Sequence, residues 1–111
     1  MEMGADDAAM AALFGELGSG AAPALKTLYL NGNKIGDEGV RHLADALARG
    51  AAPALKTLLL NKNKIGDDGL RHLGDALKRG AARALFALEL DGNPASDAAQ
   101  QAVQDALRNR K

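Results

Sequence analysis

Apolar residues fall in the same order three times along the chain. Leu25, Leu28 and Leu30 hold the first, fourth and sixth places of Leu25-Lys-Thr-Leu28-Tyr-Leu30-Asn-Gly-Asn33-Lys-Ile35-Gly, and Leu55, Leu58 and Leu60 hold them again thirty residues on. Leu85, Leu88 and Leu90 repeat the order, followed by the looser Asp91-Gly-Asn93-Pro94. The polar residues between them point the other way, which predicts a strand with one buried and one open face. Each strand is followed by an amphipathic helix. Val40, Leu43 and Leu47 mark one helical face, Leu70, Leu73 and Leu77 the next, and Val103 and Leu107 the last. Asp37 stands where a helix N-cap is expected, and capping is the expected role of the whole column Asp7, Asp37, Asp67 and Asp97. Ser96 or Asp97 is expected to cap the last helix, whose basic end suits its dipole.

The period divides residues 1–111 into one domain. Residues 6–18, with Met10, Leu13, Phe14 and Leu17 at helical spacing, are expected to form an N-terminal capping helix with no strand before it. Residues 20–49 and 50–79 are expected to be the first two repeats, and 80–111 the third repeat with the C-terminal cap. The first two repeats differ only at Tyr29/Leu59, Gly32/Lys62, Glu38/Asp68, Val40/Leu70, Ala44/Gly74 and Ala48/Lys78. Such identity implies recent duplication or consensus design, and sameness therefore does not single out functional positions.

The spelling Leu-x-x-Leu-x-Leu-x-x-Asn, then Gly-x-x-Gly-x-x-x-Leu-x-x-Ala-Leu, resembles the leucine-rich repeats of the ribonuclease-inhibitor-like class from about residue 6 to 107. The resemblance implies an α/β solenoid, a right-handed β-α superhelix with three parallel strands on the concave side and about four helices on the convex side. It also implies that Leu25, Leu28, Leu30, Ile35 and their equivalents fill the core, while Asn33, Asn63 and Asn93 satisfy backbone groups of the loops. Stacking makes physical sense, because one strand-helix unit has no partner for its apolar face. About three units are needed for stability, and this chain has three strands. The two outer strands are expected to leave open sheet edges, which are templates for another chain.

Alternation places Lys26, Tyr29, Asn31, Lys56, Leu59, Asn61, Lys62, Phe86, Glu89 and Asp91 on the outward side of the strands. In this repeat class the concave face is the usual docking surface, and Tyr29, Leu59 and Phe86 are expected to be exposed apolar groups on it. Lys26, Lys56 and Lys62 against Glu89 and Asp91 polarise the face from basic to acidic, a pattern suited to steering a partner. These residues make a protein-binding module the leading expectation. The alternative is a small structural or accessory subunit, or a truncated or designed scaffold, held by sheet edges or end helices. By family analogy a regulator of a small GTPase or of actin ranks lower, because no partner-specific residue of such proteins is matched.

Composition narrows the chemistry. At 111 residues the chain can bury roughly 65% of the surface its unfolded form exposes, enough for a single core. Fourteen basic and fourteen acidic residues cancel, which argues against nucleic acid or an anionic membrane as partner. Without cysteine there is no disulfide, thiolate metal site or cysteine nucleophile. Asn61 to Gly66 imitates the start of a calcium loop, but Ile65 holds the fifth position and His72 the twelfth, where oxygen ligands are required. His42 and His72 recur on successive helices about 8–10 Å apart, too far to share a metal. No phosphate-binding loop or nucleophile motif occurs, and no catalytic residue, cofactor or metal is expected. The acidic start and the lack of a long apolar run lead to an expected intracellular, cytoplasmic location.

Overall fold

A computed structural model describes residues 6–14, 20 and 22–109, apart from the side chain of Leu13. The expected apolar contributions of Leu13 and Leu17, the turn at Gly18-Ser19, and the end Arg110-Lys111 lie outside the described residues. The elements run α1 (Asp7–Phe14), β1 (Thr27–Tyr29), α2 (Asp37–Ala48), β2 (Thr57–Leu59), α3 (Asp67–Lys78), β3 (Ala87–Glu89) and α4 (Asp97–Asn109). The strands form one parallel sheet in the order β1-β2-β3. Its register is the sequence period itself: Leu28 pairs with Leu58 and Leu58 with Leu88. Helices pack consecutively behind it, α1 on α2, α2 on α3 and α3 on α4. The architecture is a short α/β repeat solenoid with three parallel strands and four helices. Among the described residues, no helix is long and apolar enough to cross a membrane.

The core is the set of periodic apolar positions. Leu30, Ile35, Val40, Leu43, Leu58, Leu60, Ile65, Leu70, Leu73 and Leu77 are all nearly or fully enclosed. Leu25 and Leu28, at the outer strand β1, are only partly buried, whereas Leu85 and Leu88, at the other outer strand, are buried, Gln104 of α4 reaching Leu88 O. The strands are three residues long because the chain turns sharply after Leu30 and its equivalents. Gly32 (φ 72°), Lys62 (φ 59°) and Gly92 (φ 78°) make that turn in the left-handed region. Each helix must then reverse into the next strand. Gly50 (φ 79°) does so after α2, with its N–H donating to Leu47 O (3.0 Å) and Ala51 N–H donating to Ala46 O (3.1 Å). Gly80 repeats the arrangement after α3. This paired closure satisfies carbonyls that a helix end would otherwise leave open.

Two side-chain ladders join the repeats. Asn63 Nδ2 donates to Leu30 O (2.8 Å) of the preceding repeat and to Leu60 O (3.0 Å) of its own, while its Oδ1 accepts from Ile35 N (3.1 Å). Asn93 repeats this one unit on, bonding Leu60 O, Leu90 O and the amides of Asn63 and Ile65. The asparagines thus hold the loop backbone as expected, and they reach back across the repeat boundary.

The aspartate column differs from the sequence expectation. The N-caps of α2 and α3 are Gly36 and Gly66, and neither helix has a side-chain cap of its own. Asp7, Asp37 and Asp67 instead each begin one helix and cap the one after it. Asp7 Oδ1 accepts from Gly36 N (2.6 Å) and Gly39 N (3.0 Å), Asp37 Oδ1 from Gly66 N (2.7 Å), and Asp67 Oδ1 from Ser96 N (2.7 Å). The physical reason is the close stacking that Gly39 and Gly69 permit. A β-carbon on Gly69 would lie 2.6 Å from Asp37 Oδ1 and 3.0 Å from Asp37 Cα. Local caps are found on α1, by Asp6 Oδ1 on Ala9 N (3.0 Å), and on α4, by Ser96 Oγ on Ala99 N (3.1 Å), Ser96 being one of the two residues expected there.

Candidate functional site

The strand faces bring nine of the ten outward residues together in three rows, with Lys62 in the turn just after the third. Lys26, Lys56 and Phe86 are adjacent through Lys56 N on Lys26 O (2.8 Å) and Phe86 N on Lys56 O (3.0 Å). Tyr29, Leu59 and Glu89 are paired directly across the sheet. Asn31, Asn61 and Asp91 follow, linked through Gly32 N on Asn61 O (3.1 Å) and Lys62 N on Asp91 O (2.8 Å).

Exposure is uneven across the rows. Tyr29 is 57% and Phe86 71% exposed, and they are the large apolar side chains that stand out from the surface among the described residues. Leu59, expected to be exposed, is half-buried. It lies on the middle strand between Tyr29 and Glu89, and neighbours on both sides cover it. Asn31 and Asn61 are likewise half-buried, and Asn31 Oδ1 is enclosed without a donor. The charges at Lys26, Lys56, Lys62, Glu89 and Asp91 make no ion pair among the described residues.

The chemistry the other motifs suggested is accounted for by protein partners. His72 Nε2 lies 2.9 Å from Asp45 Oδ1 on the preceding helix, which gives that imidazole a structural neighbour. Asn61 and Asn63, the oxygen-bearing residues of the calcium-loop imitation, are both half-buried or buried, and Asn63 spends its oxygen on Ile35 N. At the sheet's β3 edge, Gln104 Nε2 donates to Leu88 O (2.8 Å). Gln104 occupies the position of Ala44 and Gly74, where a small residue admits the next helix. The final repeat has exchanged an interface residue for a side chain that covers the strand.

Stacked strand-helix units in one-to-one register, joined by side-chain ladders, define the class: a repeat solenoid whose open sheet face is separate from its structural residues. Residues 22–44 and 52–74 each match the leucine rich repeat family model. These two matches, with the four helices and three parallel strands, fit a short α/β repeat solenoid, and leucine-rich repeats generally mediate protein–protein interaction and are typically non-enzymatic. No curated protein matches the chain at a significant level.

Proposed function

We propose that the chain is a non-enzymatic module of the ribonuclease-inhibitor-like class that binds an intracellular protein partner through its concave strand face. The observation that carries this is the pair Tyr29 and Phe86, large apolar side chains left open on a face whose structural bonds are made elsewhere. Buried aromatic anchors of this kind tend to dominate the binding energy of an interface. The unpaired charges on the same rows supply a polarised rim.

Lys62 gives independent support. It holds the left-handed turn that glycine holds in the repeats on either side. A non-glycine residue there costs about 1–2 kcal/mol, so the long basic side chain stands there against a structural preference. Lys62→Gly is expected to raise stability by about 1 kcal/mol in urea denaturation and to weaken partner capture.

The test is a pull-down with immobilised chain. Tyr29→Ala combined with Leu59→Ala is expected to abolish capture of the partner while leaving the fold intact by circular dichroism. Unchanged capture would remove the concave face as the site. The edge-held accessory subunit has less in its favour, since Gln104 already occupies the carbonyl of Leu88 that an added strand would need.

A further inference from the structure

At the end of the solenoid where helices finish and strands begin, charge is strongly segregated. Segments 48–56 and 78–86 carry Arg49, Lys56, Lys78, Arg79 and Arg83 and contain no acidic residue, in a chain whose total charge is zero. The fold gathers Arg49, Arg79 and Arg83 around one cleft of about 390 Å³ beside the Gly50 and Gly80 turns. Arg83 folds toward Gly80, where a β-carbon would lie 3.1 Å from its Nη2.

Three other arginines among the described residues are neutralised locally. Arg41 pairs with Glu38 (2.5 Å), Arg71 with Asp68 (2.8 Å) and Arg108 with Asp105. Arg79 and Arg83 make no ion pair among the described residues, and Arg49 donates to Phe14 O (2.9 Å). Favourable interaction with helix C-termini accounts for Arg49 and Arg79, which are the C-cap residues of α2 and α3. Lys56 lies beyond the helices and leads into the strand, and Arg83 folds back toward the end of α3, adding a third guanidinium to the cleft. The backbone amides of Gly80 and Ala81 are already committed to Leu77 O and Ala76 O, so recognition at this cleft falls to the side chains.

We propose that this basic rim holds an acidic segment of the protein partner. The proposal rests on the protein-binding role put forward above and adds the chemistry of what is bound. Guanidinium groups suit carboxylates because their fixed donors match both oxygens. Lys56 sits next to Phe86 in the row that begins the sheet, so an acidic segment on the rim continues onto the exposed aromatic face.

The probe is a fluorescein-labelled hexaglutamate peptide, followed by anisotropy with the full chain. Binding is expected at low ionic strength. It should weaken as salt rises from about 0.01 M to about 0.15 M, which shortens the screening length from about 30 Å to about 8 Å. Arg79→Glu with Arg83→Glu is expected to weaken it about tenfold or more. Arg79→Gln with Arg83→Gln, a gentler change, should also weaken it. Arg41→Glu with Arg71→Glu alters net charge by the same amount away from the rim and, compared at about 0.15 M where the screening length is only about 8 Å, should leave binding within about twofold of wild type. Equal loss in the rim and convex variants would overturn the proposal, as would no binding of the peptide. Tighter binding of a hexathymidylate oligonucleotide than of the peptide would overturn it in favour of a nucleic acid. Tyr29→Ala with Leu59→Ala should hold the peptide as wild type does. Partner capture lost in that variant but indifferent to the rim variants would therefore defeat the rim and leave the concave-face role standing.

Discussion

Asn63→Ala is expected to destabilise the fold by about 3 kcal/mol in urea denaturation, a large share of the stability of a domain this size. Asn63 is 7% exposed, and its carboxamide bonds in both directions at once. Its removal leaves the amide of Ile35, itself fully enclosed, without an acceptor. The carbonyls of Leu30 and Leu60 each keep one donor, from Asn33 and Asn93, so the cost falls mainly on that amide and on the space left behind. Asn63→Asp tests the mechanism. It restores an acceptor for Ile35 but turns a carboxylate toward two carbonyl oxygens, so it is expected to rescue nothing. Recovery of wild-type stability by aspartate would show that only the acceptor matters.

Gly69→Ala is expected to cost about 2–3 kcal/mol, against the usual gain of about 1 kcal/mol for replacing glycine within a helix. The reversed sign follows from position. The new β-carbon meets the carboxylate oxygen and Cα of Asp37 and lies 3.1 Å from Ile65 Cγ2, and a backbone atom has no rotamer to move into. Helices α2 and α3 would have to separate, weakening the bond from Gly66 N to Asp37 Oδ1. Gly74→Ala in the same helix is the control. Its β-carbon would sit 3.6 Å from Val103 Cγ2, an ordinary contact, and repeat one already has alanine there. That substitution is expected to be neutral or stabilising by up to about 1 kcal/mol, as helix propensity alone predicts.

The leucine and isoleucine positions were legible because the period of thirty becomes the sheet register, so one observation fixes both core and topology. The role of Asn63 followed from the repeat it resembles. The aspartates were less legible, because capping rules are local and place the acceptor on the same helix as its donors. Here stacking brings the carboxylate of the previous repeat nearer than any side chain of the helix itself. Two glycines in the first turn, Gly36 and Gly39, were the available signal: they leave room for that carboxylate.

Side-chain exposure was legible at the outer positions and not at the middle one. Tyr29 lies on an outer strand and Phe86 just before one, so each has open surface beside it. Leu59 has the same alternation but neighbours on both sides, and alternation alone does not count neighbours. The basic rim was hidden by averaging. A net charge of zero over the chain says nothing of two nine-residue segments that contain only basic charge.

Amide hydrogen exchange at Ile35, Gly36, Ile65 and Gly66 tests the stapled-repeat account most directly. These amides lie outside every strand and helix, and side-chain oxygens of neighbouring repeats are what hold them. The account predicts protection comparable to that of the Leu58 amide in the central strand, lost together when the whole domain opens. Exchange at the rate of an exposed turn, with Leu58 still protected, would contradict it.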